Sequence, residues 1–380
     1  MKFSLITGPG NHAHFLIRAL QQYHNFSYSE YWPKYRYVPA RSGTPESNKF
    51  FDFASYILYG LHNRVKLNKN NKWHQDLLFS LYDSINTKKL DVNNLIAWPQ
   101  VSLQAMRKVK ELHGKTILEQ PMCHVDFWNT VAQSEHGKLS IHDTISFSRF
   151  MANRMKQEYD LADQIVVHSN FSKRTFLDYG LPENKIKVCS LGIDLPERKT
   201  LQKHFAKKLQ ILYVGRVEVL KGIHYLLEAT ELFANHVEVH LVGSIQNNYM
   251  PVLRTEKGNI KFYGHVARQQ LEQLYRQADL FIFPSLYDGF GLAIIEAMSY
   301  GVPVVATEHS GAPDIITDKV DGFIIKPYSV RHIAETIEMV LRDRELLRTI
   351  GLAAQDKVYK QYSFEMYSMR INQLVNSMLF

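Results

Sequence analysis

Asp288 and Glu296 are separated by seven residues, and between them stand Gly289, Phe290, Gly291, Leu292 and Ala293. Two glycines let the backbone turn sharply, and the helical spacing of 292–299 then leaves free amides at a helix start. Those amides, with the positive end of the helix dipole, suit an anion such as a phosphate. Asp288 can face a ligand at the helix start while Glu296 reaches across it, and two such acceptors suit sugar hydroxyls. The elements that must position them read directly from the chain. An apolar run at 280–283 stops at Pro284, the loop and helix follow, and a new strand begins after Gly301. An ordinary strand-to-helix turn with Glu296 in solvent would leave the same pattern.

Other residues could join this chemistry. A buried-type strand at 209–214 runs into Gly215-Arg216, and Lys221-Gly222 follows five residues on, before a helix at 223–233. A guanidinium fork and an ammonium point charge at those places can hold a diphosphate from two sides; taken alone, two solvated cations explain them as simply. A strand at 116–119 leads through Pro121 to His124, at the carboxyl end of a strand, where doubly wound sheets place ligand groups. An imidazole there can donate to a phosphate or to the leaving side of a sugar, although a structural histidine fits as well. His136 and His142 read as surface. Near the start, a strand at 2–7 enters Gly8-Pro9-Gly10-Asn11-His12 ahead of a helix at 14–22. The glycines are too few for a dinucleotide fingerprint, leaving a tight turn or a set of amides that approach a ligand across a cleft.

The 380 residues suit two domains rather than one core. Strands at 95–98, 116–119 and 164–168 alternate with helices at 102–113 and 147–162, a rhythm that means a parallel sheet in an α/β fold. Ser169, Asn170 and Ser172 read as caps of the next helix. The charged stretch 196–208 reads as a linker, 68–72 as a loop, and 362–379 has apolar residues at helical spacing. From 23 to 61 the chain is crowded with aromatic and basic residues, among them Tyr28, Tyr31, Trp32, Tyr35 and Phe50. They could stack on sugars, lie at a membrane interface or pack a core.

A formal charge of +8 favours an acidic partner: a nucleotide sugar, an anionic membrane surface or nucleic acid. No helix-turn-helix, zinc-finger or ribonucleoprotein motif is visible, so nucleic acid is the least favoured. No run of eighteen apolar residues spans a membrane, and the N-terminus lacks the apolar region of a secretory signal. Two distant cysteines, Cys123 and Cys189, fit a reducing compartment and argue against a cysteine metal site. No paired acidic metal motif is seen.

The stretch Asp288-Gly-Phe-Gly-Leu with Glu296 eight positions after the first acid resembles the signature of the family 4 retaining glycosyltransferases, the group 1 glycosyltransferases. That family usually has Glu where Asp288 stands, one methylene longer. The resemblance covers the chain best from about His124 onward. It implies the GT-B architecture, two doubly wound Rossmann-like domains facing across a cleft: residues 1–195 binding the acceptor, 196–360 the nucleotide sugar, and 361–380 a helix crossing back to the first domain. It implies a retaining transfer of a hexosyl group from a nucleoside diphosphate sugar to a glycan or lipid-linked acceptor, with no cofactor and no metal. Among the matching residues, His124 and Asp288 would act on the reacting sugar. Arg216, Lys221, Val266, Gly289, Phe290, Gly291, Leu292, Ala293, Glu296 and the turn at Gly10 would bind the donor, Val266 through its backbone near the base. The expected location is the cytoplasm, with an anionic inner membrane face as a further partner. Transfer to a soluble acceptor, or a protein that binds a nucleotide sugar without turning it over, are the competing readings. Binding to anionic liposomes that salt reverses would separate the first. Asp288→Ala would separate the second, since it abolishes a transferase and largely spares a binder.

Overall fold

The computed structural model describes residues 3–7, 11–24, 27–30, 73–90, 93–141, 146–198, 206–246, 249, 253 and 258–379. Gly10, His142, the loop at 68–72, residues 31–61 of the aromatic-rich stretch and residues 199–205 of the linker lie outside these.

Strands β1 (Ser4–Thr7), β2 (Ser27–Glu30), β3 (Leu95–Ala97), β4 (Thr116–Glu119), β5 (Gln164–Val167) and β6 (Ile186–Val188) form one sheet in the order β2-β1-β3-β4-β5-β6. Strands β7 (Leu209–Val214), β8 (Val237–Val242), β9 (Ile260–Gly264), β10 (Leu280–Phe283), β11 (Val304–Thr307) and β12 (Phe323–Ile325) form a second, in the order β12-β11-β10-β7-β8-β9. Every pairing within both sheets is parallel. Parallel neighbours need crossovers, and β1, β4, β10 and β11 are buried along their whole length, as in sheets covered on both faces.

Among the described residues of the first half the helices are α1 (Asn11–Gln21), α2 (Trp73–Lys89), α3 (Leu103–Glu111), α4 (Val125–Lys138), α5 (Arg149–Leu161) and α6 (Asn170–Asp178). In the second half they are α7 (Ile223–Glu231), α8 (Arg268–Gln277), α9 (Leu292–Ser299), α10 (Ala312–Ile315), α11 (Val330–Arg342), α12 (Glu345–Gln361) and α13 (Phe364–Leu379). Helix α2 went unread in the sequence because its inner face is partly polar. Asp83 and Asn86 are buried, and the Asp83 carboxylate takes the Gln104 and Ala105 amides at 2.7 and 3.1 Å and pairs with Arg154.

The two halves are joined where 193 and 363 form a parallel bridge: Ile193 N donates to Tyr362 O at 2.9 Å and Phe364 N to Ile193 O at 2.8 Å. From there α13 returns to the first half. Its Tyr367, Ile371, Val375 and Leu379, four apart, are buried, each contributing about 1.5–3 kcal/mol. Ser368 Oγ bonds Gln22 Oε1 at 2.7 Å and His24 Nε2 meets Asn372 Oδ1 at 2.7 Å, fixing the helix on α1 and the residues just beyond it.

Candidate active site

In an open parallel sheet a ligand crevice forms at the carboxyl ends of the strands where the strand order reverses. In the second sheet that point lies between β7 and β10. The turn after β7 carries Arg216 and Lys221, and the loop after β10 carries Asp288 to Gly291. Leu286 N donates to Leu220 O at 2.9 Å and ties the two turns together.

Lys221 Nζ stands 2.6 Å from Asp288 Oδ2, with 15% and 21% of the two side chains exposed. Burial pushes the Asp288 carboxyl up. The Lys221 ammonium and the amides of Phe290 and Gly291 outweigh it and hold the group below the usual carboxylate range. The main chain here is pinned on both sides of the glycine: Asp288 N donates to His309 O at 2.8 Å, and Gly311 N donates to Phe290 O at 3.0 Å. Gly291 lies at φ +89° as the N-cap of α9, and a Cβ there would meet Ile294 Cδ1 at 2.8 Å. With no side chain capping it, the helix start keeps its first amides for a ligand. Leu292 and Ala293 form its first turn and are partly exposed.

Glu296 lies further along α9. Its Oε2 accepts from Tyr275 OH at 3.0 Å; burial raises its carboxyl, and Tyr275 and Arg268 offset part of the rise. Arg216 is 57% exposed and reaches Glu218 at 3.1 Å. Val266 is half-buried after β9, with β8 between that strand and β7, so the structure does not bring it to the Lys221–Asp288 pair.

Across the cleft, the loop after β4 meets this site backbone to backbone. A Cβ on Gly289 would lie 2.0 Å from Pro121 O. Cys123, Trp128 and Phe171 of the first half share a buried cluster with Leu220, Leu286 and Tyr287 of the second. The expectation that the His124 ring stands over a reacting sugar is corrected by its placement. The ring stacks on Tyr179 at 4.5 Å and packs against Tyr159 and Phe176 within the first half, and it is 2% exposed. Its Nδ1 accepts the Asp126 amide at 3.2 Å as the N-cap of α4, and burial lowers its pKa to about 4. His136, expected on the surface, is buried on the inner side of α4, with Nδ1 2.6 Å from Ala132 O.

Sequence reasoning missed several residues at this boundary. Ser169 and Ser172 bond Gly289 O, and Asn170 bonds Asp314. Glu135 of α4 accepts from Tyr225 OH at 2.8 Å and lies 3.5 Å from His224 Nε2. Burial pushes the Glu135 carboxyl up, and bonds to His224, Lys138 and Tyr225 bring it down to about 2. Only Ser169, Asn170 and Ser172 left a sequence signal, and it read as helix capping alone.

Among the described residues, two six-stranded parallel sheets joined by a returning C-terminal helix, with a glycine turn at the switch point of the second, define the GT-B class of fold. The structure matches sucrose-phosphate synthase from Thermosynechococcus elongatus with a TM-score of 0.66 at 16% identity, over 99% of this chain and 98% of that one. It matches Anabaena HepE, solved with UDP and glucose, with a TM-score of 0.64 at 18% identity, over 99% and 100%. Residues 196–357, somewhat under half of the chain, match the family described as glycosyl transferases group 1. An uncharacterised glycosyltransferase of Methanocaldococcus jannaschii is 27% identical over 263 residues, 64% of this chain and 67% of the relative. The O-antigen chain mannosyltransferase B of Escherichia coli is 30% identical over 239 residues, 57% and 61%. The chain spans about half to two thirds of the length of the curated relatives it matches. Among the described residues, no helix is long and apolar enough to cross a membrane.

Proposed function

We propose that this protein transfers a hexosyl group from a nucleoside diphosphate sugar, carried on UDP or GDP, to a hydroxyl of a glycan or lipid-linked acceptor in cell-surface polysaccharide synthesis. The transfer retains the anomeric configuration and needs no metal ion. The observation that carries this reading is the convergence of Lys221, Asp288 and the uncapped start of α9 where the second sheet reverses its strand order. The O-antigen relative supports the acceptor class, and the UDP-bound structural neighbour supports the donor class.

On this reading residues 196–360 hold the donor, residues 1–195 the acceptor, and 361–380 tie the two together. The bond from the anomeric carbon to the diphosphate oxygen breaks, a bond to the acceptor oxygen forms on the same face, and the acceptor proton passes to the leaving diphosphate. Negative charge grows on that diphosphate. The Arg216 fork, the Lys221 ammonium and the amides at 291–293 oppose it, which is the work a divalent cation does in other transferases. Lys221 has three donors, so it can keep Asp288 and still bind an anion. Asp288 and Glu296 accept from sugar and ribose hydroxyls, Gly289 and Phe290 shape the loop around the sugar, the backbone near Val266 meets the base, and the turn at Gly10 approaches the donor from the first domain. His124, with a neutral ring, acts by holding the loop after β4 against Gly289. Domain closure excludes water, the competing acceptor. The charge of +8 favours work at an anionic inner membrane face.

The test is a set of UDP and GDP sugars offered with lipid-linked and free glycan acceptors, the product anomer read by proton NMR. A product with the donor's configuration supports the proposal. An inverted product, or no product from any donor, refutes it.

A further inference from the structure

We propose that the first turn of α6, residues 169–172, is a positioning element: as the domains close it fixes the peptide at Gly289 and so aims Asp288 at the donor sugar. This inference rests on the transferase reading above. It stands on four consecutive residues, each of which grips the second domain next to Asp288.

Ser169 is the N-cap of α6, and its Oγ accepts the Ser172 amide at 3.0 Å. That leaves its own proton for Gly289 O, 2.7 Å away. Ser172 Oγ also donates to Gly289 O, at 3.2 Å, so both lone pairs of one carbonyl are filled by hydroxyls from the other domain. Both serines are fully buried. Between them, Asn170 N and Nδ2 bind Asp314 Oδ2 and Oδ1 at 2.6 and 2.9 Å. The Phe171 ring stacks on His309 at 5.1 Å, and His309 O accepts the Asp288 amide.

The loop therefore has bonds of two kinds. Asp288 N to His309 O and Gly311 N to Phe290 O lie within the second domain and survive opening. The bonds to Gly289 O are made only when the first domain is in place. Without them the peptide between Asp288 and Phe290 can rotate, carrying the carboxylate off line while Gly311 N still holds Phe290 O and the start of α9 in place. A misplacement of about 1 Å in such a group costs on the order of 100-fold in rate. A buried carbonyl left without a donor would resist that closed position further. Gly289 is required on the same account, since any side chain there would strike Pro121 O before the serines could reach. The turn contributes to the chemical step and not to nucleotide affinity, because Arg216, Lys221 and the start of α9 all belong to the second domain.

The experiment compares the full chain with Ser172→Ala, Ser169→Ala/Ser172→Ala and Ser169→Thr. UDP and GDP affinities are measured by calorimetry, and kcat and KM with whichever of UDP-glucose and GDP-mannose the wild type turns over. Ser172→Ala keeps the helix cap and removes one donor, and Ser169→Thr keeps both functions. The expected result is a kcat reduced about threefold in Ser172→Ala and at least tenfold in the double variant, nucleotide Kd within twofold of wild type in both, and near-normal kcat in Ser169→Thr. An unchanged kcat in an active wild-type background overturns the inference. So does a parallel loss of nucleotide affinity in the well-folded Ser172→Ala variant, which would make the contact a structural one. A wild type that neither binds a nucleotide nor turns over a donor defeats the transferase reading itself, and this inference with it.

Discussion

Replacing Lys221 by methionine should strand the Asp288 carboxylate, and the cost should depend on pH in a particular direction. At 2.6 Å, two unit charges attract by about 6 kcal/mol at an effective dielectric near 20, most of which offsets the cost of taking both out of water. Breaking a fully buried pair costs about 3–5 kcal/mol; with 15% and 21% of these side chains exposed, about 2–3 kcal/mol is expected. In the wild type the Asp288 carboxyl lies below its ordinary value, so its contribution is present above that value and is lost as pH falls through the native one. In Lys221→Met, burial is opposed only by the amides of Phe290 and Gly291, and the carboxyl moves up. Lowering the pH then protonates it and removes the penalty. Scanning calorimetry suits the assay, because all four tryptophans, Trp32, Trp73, Trp98 and Trp128, precede the second domain. The second-domain transition should fall by about 5–10 °C at pH 8 and by much less at pH 5. An equal fall at both pH values, or none, would refute the reasoning.

Gly289→Ala sets a Cβ 2.0 Å from Pro121 O, a backbone atom that cannot swing aside, so kcat should drop at least 100-fold while UDP or GDP affinity stays within threefold; activity within threefold of wild type contradicts this closed contact. Glu119 is buried, and burial raises its carboxyl to about 8; its Oε1 lies 3.2 Å from Nε2 of His168, whose Nδ1 faces Cys189 O at 3.0 Å. A raised carboxyl stabilises most at low pH and loses that contribution as pH rises through about 8. Between pH 6.5 and 8 the wild type should therefore lose about 2 kcal/mol relative to Glu119→Gln in urea unfolding, and parallel pH profiles would sink the assignment. Glu135→Gln should weaken the bond to Tyr225 by about 1–2 kcal/mol. Since the Glu135 carboxyl is held at about 2, that difference should shrink only as pH falls below the ordinary 4.5 toward 2, which melting curves at pH 7 and 3 would check.

What could be read in the sequence was local. Helix α9 has the bounds 292–299 that its spacing gave, because Pro284 and two glycines mark where strand periodicity stops and helical periodicity starts. The alternation of strands and helices likewise gave a parallel sheet, while its doubling came from the length and from the resemblance at the Asp288 loop. Contacts between distant residues were not legible. Ser169 and Gly289 are 120 residues apart, and nothing in a serine that caps a helix announces a second bond. The histidines at 124 and 136 were misplaced for the same reason. The rings that enclose His124 are Tyr159, Phe176 and Tyr179, and His136 faces inward on a helix whose apolar stripe is interrupted by Glu135. Helix α2 was hidden by carrying buried Asp83 and Asn86 where a helix ordinarily shows apolar residues.

The proposed transfer requires the second domain to hold a nucleoside diphosphate through Lys221, Arg216 and the start of α9. Its most direct test is titration calorimetry of UDP and GDP into the wild type and into Lys221→Met and Arg216→Ala, each with and without a chelator. One nucleotide should bind the wild type with an affinity unchanged by chelator, and each variant should bind it at least tenfold more weakly. Binding that vanishes with chelator, or that both substitutions leave untouched, would contradict it.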